Sequence, residues 1–208
     1  MFDSILVPLD GSRFAEAALP LATGLARSAH GKIRLALVHQ PEMVAAGEGE
    51  ESLGFGMVPI AESASERGYL AEIAASLGTN GDPRLTEILG GAPGPSLSEG
   101  ISARHPDLVV LATHGWGPLA RLWEEGVSSH LIRELSIPLL LVPPAGRSAM
   151  GDNWTCRRIL VPLDLSGSSR EILGPAQTLA RLTQSHLTLV HVVEPMLCHG
   201  DPDLSASP

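Results

Sequence analysis

The chain has 208 residues and a formal net charge of −9, and 44% of its residues are apolar although only 3% are aromatic. This length is sufficient for one or two domains with a real core, which must be aliphatic. Because no basic cluster offsets the acidic balance, a nucleic-acid partner is not expected.

The sequence shows no sign of membrane insertion or export. No apolar run approaches the roughly 20 residues of a membrane span, and the start "MFDSILVPLDGS" lacks the basic and apolar regions of a signal peptide. We therefore expect a cytoplasmic protein without a membrane partner. Cys156 and Cys198 are too few for a disulfide framework, so we expect two reduced thiols.

The predicted strands are short, nearly continuous apolar runs, as expected for strands buried on both faces. They cover residues 5–9, 33–38, 85–89, 108–112 and 139–142. Segments with apolar residues at helical spacing separate these runs, and the fourth such helix is predicted over residues 127–135. The alternation predicts one doubly wound α/β domain over residues 1–143.

Two helix starts have capping signals. We expect Ser12 to cap the first helix, and Ser63 with Glu66 to form a capping box before the second. The apolar stripes predicted for these two helices are Phe14, Ala18, Leu21 and Leu25, and then Tyr69, Leu70, Ile73 and Leu77.

Part of the chain is repeated. Three short matches recur in the same order: "ILVPLD" at 5–10 and 159–164, "LAR" at 25–27 and 179–181, and "LVH" at 37–39 and 189–191. Three ordered matches argue for duplication of a strand–helix–strand unit, which has parallel strands. We expect a linker over 144–157, a partial second domain over 158–195, and a disordered tail over 196–208.

The tail contains four residues of metal-binding type, Cys198, His199, Asp201 and Asp203. A metal site needs ordered ligands on a fixed scaffold, and none is evident in this stretch. No metal site and no catalytic constellation are predicted anywhere in the chain.

Four stretches resemble the universal stress protein family: "ILVPLDGS" at the first strand, "LVH" at the second, "LGGAPG" after the third, and "DLVVLATHGWGPLARLW" followed by "GVSSHLIRELSIPLLLVPP". Together they cover nearly all of residues 3–143. The resemblance implies a five-stranded parallel sheet in the order 3-2-1-4-5, a fold shared with adenine-nucleotide α-hydrolases. The repeat is similar to the tandem members of the family, which implies that the second copy is a truncated domain.

Some members of that family bind ATP through a loop of the form G-x-x-G, nine residues, then G-[S/T], where backbone amides donate to the phosphates. Ala112 stands at the first glycine, Gly115 matches the second, and Glu125 and Gly126 replace the final pair. A carboxylate about 4 Å from a phosphate charge is repelled by roughly 4 kcal/mol at an effective dielectric of about 20. That repulsion corresponds to about three decades of affinity, so Glu125 is predicted to oppose phosphate.

At the end of the site that would hold the adenine base, this chain matches the family pattern better than it does at the phosphate loop. The resemblance assigns Asp10 to an adenine contact and Pro8 to the same turn, while Gln40 replaces a residue that packs on the base. Asp164 and Val192 stand at the corresponding places of the second copy. The complete candidate cleft for ATP is Pro8, Asp10, Gln40, Leu111, Ala112, His114, Gly115, Gly126, Val127 and Ser128.

Purely structural roles compete with these assignments. Asp10 can serve only the turn, His114 can fill the loop, and Trp116 and Trp123 can pack the loop on a helix or lie at a subunit contact. Glu124 and Glu125 precede or open a helix, where acidic residues stabilise the helix dipole by about 0.3–1 kcal/mol. A sharper hypothesis is that Glu125 itself occupies the anion site as a substitute for phosphate.

The favoured function is a stress-response regulatory module that acts through dimerisation and protein interaction, with a degenerate nucleotide-binding loop, no enzymatic activity and no required cofactor. The alternative is an ATP-binding member that regulates through binding and is at most a weak ATPase; an enzyme acting on an adenylated substrate is a third idea. The fifth strand commonly forms the dimer edge in the family. The predicted contacts are therefore Pro138, Leu139, Leu140, Leu141 and Val142, and/or residues 158–195. The alternative for residues 158–195 is that they pack on the first domain.

Overall fold

The computed structural model describes residues 2–39, 64–78, 82–113, 126–143, 156–164 and 166–193. It divides into two units, Met1–Cys156 and Arg157–Pro208. The first unit contains one parallel sheet with the strand order β3-β2-β1-β4-β5. Its strands are β1 (Ser4–Leu9), β2 (Lys32–His39), β3 (Thr86–Gly90), β4 (Leu108–Ala112) and β5 (Leu139–Val142).

Helices cover both faces of this sheet. They are α1 (Leu19–Ala29), α2 (Ala64–Ser76), α3 (Pro93–Arg104) and α4 (Val127–Glu134). Helices α1 and α2 pack on β2, and α3 and α4 pack on one another. Side chains of β1, β2 and β4 form one apolar cluster with Leu97 and Ile101 of α3 and Leu131 of α4. The predicted doubly wound five-stranded fold is confirmed.

Burial on both faces explains why the strands are continuous apolar runs. Five of the six residues of β1 and all five of β4 are buried, as expected where helices cover both faces of a parallel sheet. The strand order reverses at β1, which lies between β2 and β4. In open α/β sheets, ligands bind beyond the carboxyl ends of the strands at such a reversal, so the fold indicates where to look for a site.

The first helix begins later than the apolar stripe suggests. A 3₁₀ turn over Ala15–Ala18 precedes α1, and its backbone is held by Ser12, whose Oγ accepts from the amide of Ala15 at 3.2 Å. Ser12 therefore caps the turn rather than α1 itself. Phe14 precedes the helix and is half-buried, whereas the next three residues of the predicted stripe are fully buried.

Small differences at two other elements have local causes. Leu85, predicted to begin the third strand, instead ends a 3₁₀ turn over Pro83–Leu85, because the carboxylate of Asp82 accepts from the amide of Arg84 at 2.9 Å. Helix α4 ends one residue before the predicted Leu135, which has extended backbone angles. Ser63 of the predicted capping box lies outside the described residues.

The second unit is a strand–helix–strand unit with its helix broken into two pieces. It consists of β6 (Arg158–Pro162), α5 (Gly167–Glu171), α6 (Leu173–Thr183) and β7 (His186–Val190). The two strands are parallel, with Arg158 opposite His186, and the equivalent register in the first unit places Ser4 opposite Lys32. Sequence separation between paired residues is therefore the same in both units.

This register corrects one of the three repeat matches. Leu37, which opens the first "LVH", pairs with Leu9, whereas Leu189 pairs with Val161, the counterpart of Val7. The second "LVH" is thus displaced by two residues, which preserves the face of the strand but not the position. Val192 consequently corresponds to Val38 and not, as predicted, to Gln40.

Three helices end in a non-glycine residue with left-handed backbone angles. These residues are His30 after α1, His105 after α3 and Gln184 after α6, with φ of 53°, 46° and 54°. Each donates its amide back to a carbonyl of the last helical turn, which is a common way to end a helix. No helix in the described part of the chain is long and apolar enough to cross a membrane.

Candidate functional site

The turn after β1 is built around the carboxylate of Asp10. Its Oδ1 accepts from the amide of Ser12 at 2.9 Å, and Gly11 between them has a φ of +80°, which a larger residue adopts only with strain. The turn role considered for Asp10 is therefore present. The side chain is exposed, and among the described residues no partner contacts Oδ2, so one carboxylate oxygen remains available to a ligand.

A cleft of about 560 Å³ opens beside this turn. Its walls are Asp10, Gly11, Leu37, Val38, Ser65, Glu66 and Tyr69. These residues come from the carboxyl ends of β1 and β2 and from the first half of α2. Both the volume and the place match those of small-molecule sites in α/β sheets.

Two polar contacts hold α2 over this cleft. The carboxylate of Glu66 lies 2.9 Å from Nδ1 of His39, the last residue of β2. The hydroxyl of Tyr69 donates to Oε1 of Glu16 at 3.1 Å. Burial, followed by the negative charge of Glu16, raises the pKa of Tyr69 above its ordinary value. Its phenol therefore stays protonated and keeps donating at physiological pH.

The ends of β4 and β5 meet at a second part of this edge. Thr113 is buried, and its amide and hydroxyl both donate to the carbonyl of Val142, at 2.7 and 3.3 Å. Helix α4 starts after Gly126, which as a glycine has no side chain to cap it, and the first backbone bond of the helix runs from the amide of His130 to the carbonyl of Gly126. The start of a helix presents amides without helical partners, which favour an anion.

The structure places six of the ten predicted cleft residues at or near this edge. Asp10 lines the cleft, and Leu111 and Ala112 are buried at the end of β4. Gly126, Val127 and Ser128 open α4. Pro8, predicted to shape the turn, lies inside β1 opposite Ala36 instead.

The remaining predicted positions fall outside the described residues. They are Gln40, His114 and Gly115 of the cleft, together with Trp116, Trp123, Glu124 and Glu125 of the same loop. The phosphate end of the site thus stays a prediction from the sequence.

Sequence reasoning missed the contribution of α2. From the sequence alone, Glu66 is assigned to capping, Tyr69 to an apolar stripe and Ser65 to no role, yet all three line the cleft. A signal was present in the chain order, because a helix that follows β2 must begin near the carboxyl edge of the sheet. Glu66 and Tyr69 are three residues apart and so share one helix face.

The turn recurs in the second unit without the cleft. Oδ1 of Asp164 accepts from the amide of Ser166 at 2.9 Å, and Oγ of Ser166 accepts from the amide of Ser169 at 3.0 Å. Hydrogen bonds from Ser166, and then from Ser169, lower the pKa of Asp164 to about 2. No counterpart of α2 or α4 is present in the described part of this unit, so the turn has no opposing wall.

Comparisons with known proteins agree with the fold. The model of the universal stress protein family matches residues 1–143. The chain belongs to this family. A universal stress protein of Thermus aquaticus is 32% identical over 142 residues, which are 68% of this chain and 99% of that protein.

Two solved structures of universal stress proteins share the fold. One, in complex with cAMP, is 19% identical and covers 69% of this chain and 98% of its own, with a TM-score of 0.50. Another, from Pseudomonas aeruginosa, is 17% identical with a TM-score of 0.56 and covers 91% of this chain and 61% of its own. The second likeness extends beyond residues 1–143, so it includes part of the second unit.

Proposed function

We propose that this universal stress protein is a cytoplasmic stress-response module that regulates by self-association and protein contact, and that it needs no catalysis to do so. The observation that supports the proposal is an uncovered apolar surface on the second unit. Four side chains of and after its two strands carry that surface, with exposed fractions of 64% for Leu160, 54% for Leu189, 78% for Val192 and 74% for Val193.

The strand residue Leu160 is more exposed than its counterpart in the first unit. Leu160 corresponds in register to Leu6, which is 3% exposed in the first unit. Leu160 pairs with Thr188, so Leu187 and Leu189 lie on the opposite face of the two-stranded sheet. Exposed apolar side chains therefore occur on both faces, and exposed apolar surface on a folded protein marks contact sites. A two-stranded sheet is also marginal in water and presents unpaired backbone groups at its edges, which favour pairing with another strand. We name Leu160, Leu187, Leu189, Val192 and Val193 the β6–β7 apolar surface.

A second proposed contact is the edge strand β5. It pairs with β4 on one side, and on its other side the described residues supply no strand. Leu139, Leu140 and Leu141 are half-buried there, and Val142 is fully buried. Pro138 precedes the strand, and its carbonyl accepts from the amide of Val109. Self-association through this edge would extend the sheet into a second copy.

Sedimentation equilibrium over a range of micromolar concentrations tests the proposal. We expect reversible association of the unaltered chain, and weaker association for Leu160→Asp, which places a charge on the β6–β7 apolar surface but leaves the β5 edge unchanged. Gln177→Asp is the matched control, since Gln177 is exposed on α6 of the same unit. A monomer at all concentrations, or equal loss in both variants, would contradict it.

Adenine-nucleotide binding is the second candidate function, with regulation through binding or slow hydrolysis. It is supported by the cleft beside Asp10, by the start of α4 at the same edge of the sheet, and by the solved family member that holds cAMP on the same fold. Glu125 opposes it, because its charge stands in the loop sequence where the binding motif has glycine.

Two measurements separate the candidates. Denaturing the purified protein and assaying released adenine nucleotide gives a stoichiometric yield if the cleft is occupied in cells, and that yield would overturn our preference. Calorimetry with ATP then tests whether the charge of Glu125 weakens nucleotide binding, by comparing the unaltered chain with the double variant Glu125→Gly with Gly126→Ser. A gain in affinity identifies the charge of Glu125 as the cause, and no gain dismisses it.

A further inference from the structure

A second pocket lies at the opposite edge of the sheet, near the amino end of β2. Its volume is about 540 Å³, and it is an open pocket lined by the end of α1, the start of β2, and the segments after α2 and before β3. Its apolar walls are formed by Ala26, Ile33, Leu77 and Leu85. This volume is within the range of small-molecule sites, and neither the family resemblance nor the proposed function uses the pocket.

Three cationic or ionisable side chains form its rim: Arg27, His30 and Lys32. All three are exposed. In the described part of the chain, none of their side chains has a hydrogen-bond or ion-pair partner. This is notable in a chain with a net charge of −9, where carboxylates outnumber cations.

The fold itself does not require these charges. A basic residue in the last turn of a helix is stabilised by the helix dipole, and this accounts for Arg27, whose counterpart in the second unit is Arg181. The other two positions are occupied there by Gln184 and His186, with the same left-handed cap and the same strand register. Neither His30 nor Lys32 is therefore needed to form the turn.

The second unit also lacks the walls of the pocket, because no counterpart of α2 occurs among its described residues. The unit that has the apolar walls therefore has His30 and Lys32 at its rim, whereas the unit without these walls has Gln184 and His186 at the same positions. Thr23 in the wall adds a buried hydroxyl that has no hydrogen-bond partner among the described residues.

We propose that this pocket binds an amphipathic anion, a small molecule with an apolar body and one carboxylate or phosphate group. The apolar body lies against Ile33, Leu77 and Leu85, and the anionic group lies at the rim beside Arg27 and Lys32. The charge complementarity favours an anion over a neutral molecule of the same shape, and the apolar walls favour it over inorganic phosphate. This proposal is independent of the proposed function.

Calorimetry or backbone-amide NMR with the full chain tests the site, with decanoate, decyl phosphate, decanol and inorganic phosphate as probes. We expect decanoate or decyl phosphate to bind, with shifts at Arg27, Lys32 and Leu85, and the preferred head group identifies the source of the anion. Decanol and inorganic phosphate are expected to bind at least about tenfold more weakly. Saturable binding should weaken as salt is added.

The charge-reversal variant Arg27→Glu with Lys32→Glu isolates the rim, and Arg133→Glu with Arg170→Glu is its control, since both control arginines are exposed helical residues elsewhere. We expect at least about a tenfold loss of decanoate affinity in the first and no loss in the second. Circular dichroism confirms folding, and Lys32→Gln provides a milder second variant. No binding of either anionic probe, equal binding of decanol, or equal affinity in both double variants would overturn the proposal.

Discussion

The two strand–helix–strand units have the same local geometry but differ in the burial of some equivalent residues. In both, an aspartate accepts from the amide two residues later and a serine caps the following turn, at Asp10 and Ser12 in the first and at Asp164 and Ser166 in the second. The strand register is also the same. Yet Leu6 is 3% exposed and its counterpart Leu160 is 64% exposed.

The difference shows which properties are local. A turn is specified by the few residues that form its hydrogen bonds, so it survives wherever those residues are copied. Burial depends on elements far away in the chain: α3, α4 and β4 cover Leu6, and no such elements occur in the described part of the second unit. A copied sequence can therefore be a core in one place and an exposed surface in another.

Truncation of Leu6 is expected to have the largest effect on stability of the changes that compare the two units. Leu6→Ala removes a buried side chain from the cluster between β1 and α3, and should lower the free energy of unfolding by about 2–5 kcal/mol. The same change at Leu160 removes mostly exposed surface and should cost under about 1 kcal/mol in a monomeric state. Urea unfolding followed by circular dichroism measures both, and equal losses would show that the two strands are buried alike.

A glycine provides the next contrast. A Cβ added at Gly31 would lie 2.5 Å from the carbonyl oxygen of Phe2, so the backbone must shift. We expect Gly31→Ala to cost about 1–3 kcal/mol of stability. The register counterpart in the second unit is Ser185, whose side chain is accommodated and contacts Thr183. Ser185→Ala should cost less, and the reverse order in thermal or urea unfolding would contradict the close approach at Gly31.

Much of the fold follows from the sequence because buried parallel strands are local apolar runs. The strand at 108–112 is predicted at its observed bounds for this reason. The same reasoning misplaces Leu85, because the bond from Asp82 to the amide of Arg84 holds it in a turn. The same reasoning also aligns the second "LVH" with the first, although the two are displaced by two residues. The error arises because the alternating pattern of a strand is unchanged by a shift of two residues.

The residues of the candidate site are harder to predict from sequence patterns than the strands are. Asp10 follows a strand and is found by its position, whereas Glu66 and Tyr69 reach the cleft only because α2 folds back over β2. Their partners, His39 and Glu16, are distant in sequence. Pairings of this kind depend on the tertiary arrangement, which periodicity does not contain.

The contact between Tyr69 and Glu16 has no counterpart in the described second unit, and its loss should have a moderate effect. Tyr69→Phe removes one hydrogen bond and should lower the free energy of unfolding by about 1 kcal/mol near neutral pH. Because the pKa of Tyr69 is raised in the folded state, this contribution is complete below the unfolded value of about 10 and is lost as the pH rises above it.

This chain has one tyrosine, so the absorbance of tyrosinate reports Tyr69 directly. We expect ionisation of the folded protein well above pH 10, and a lower midpoint in Glu16→Gln, in which burial and the charge of Asp10 still raise the pKa of Tyr69. A midpoint at the ordinary value would contradict the buried, hydrogen-bonded position of Tyr69.

The smallest expected effect concerns the turn in the second unit. The pKa of Asp164 is lowered to about 2 by hydrogen bonds from Ser166 and Ser169. The turn should therefore retain its ionised carboxylate from neutral pH down to about 2, and lose it as the pH falls further. Carbon-detected NMR titration measures this midpoint, and Ser166→Ala should raise it toward the ordinary value near 3.9. An unchanged midpoint would show that these bonds do not hold the turn.

The most direct test of the central claim, that the uncovered second unit is a contact surface, is hydrogen exchange measured as a function of protein concentration. Amides of β6 on the side not paired with β7 should exchange more slowly as concentration rises, because another copy covers them, whereas those of β1 should not change. Exchange of β6 that is rapid and independent of concentration, while the unit stays folded, would contradict the claim.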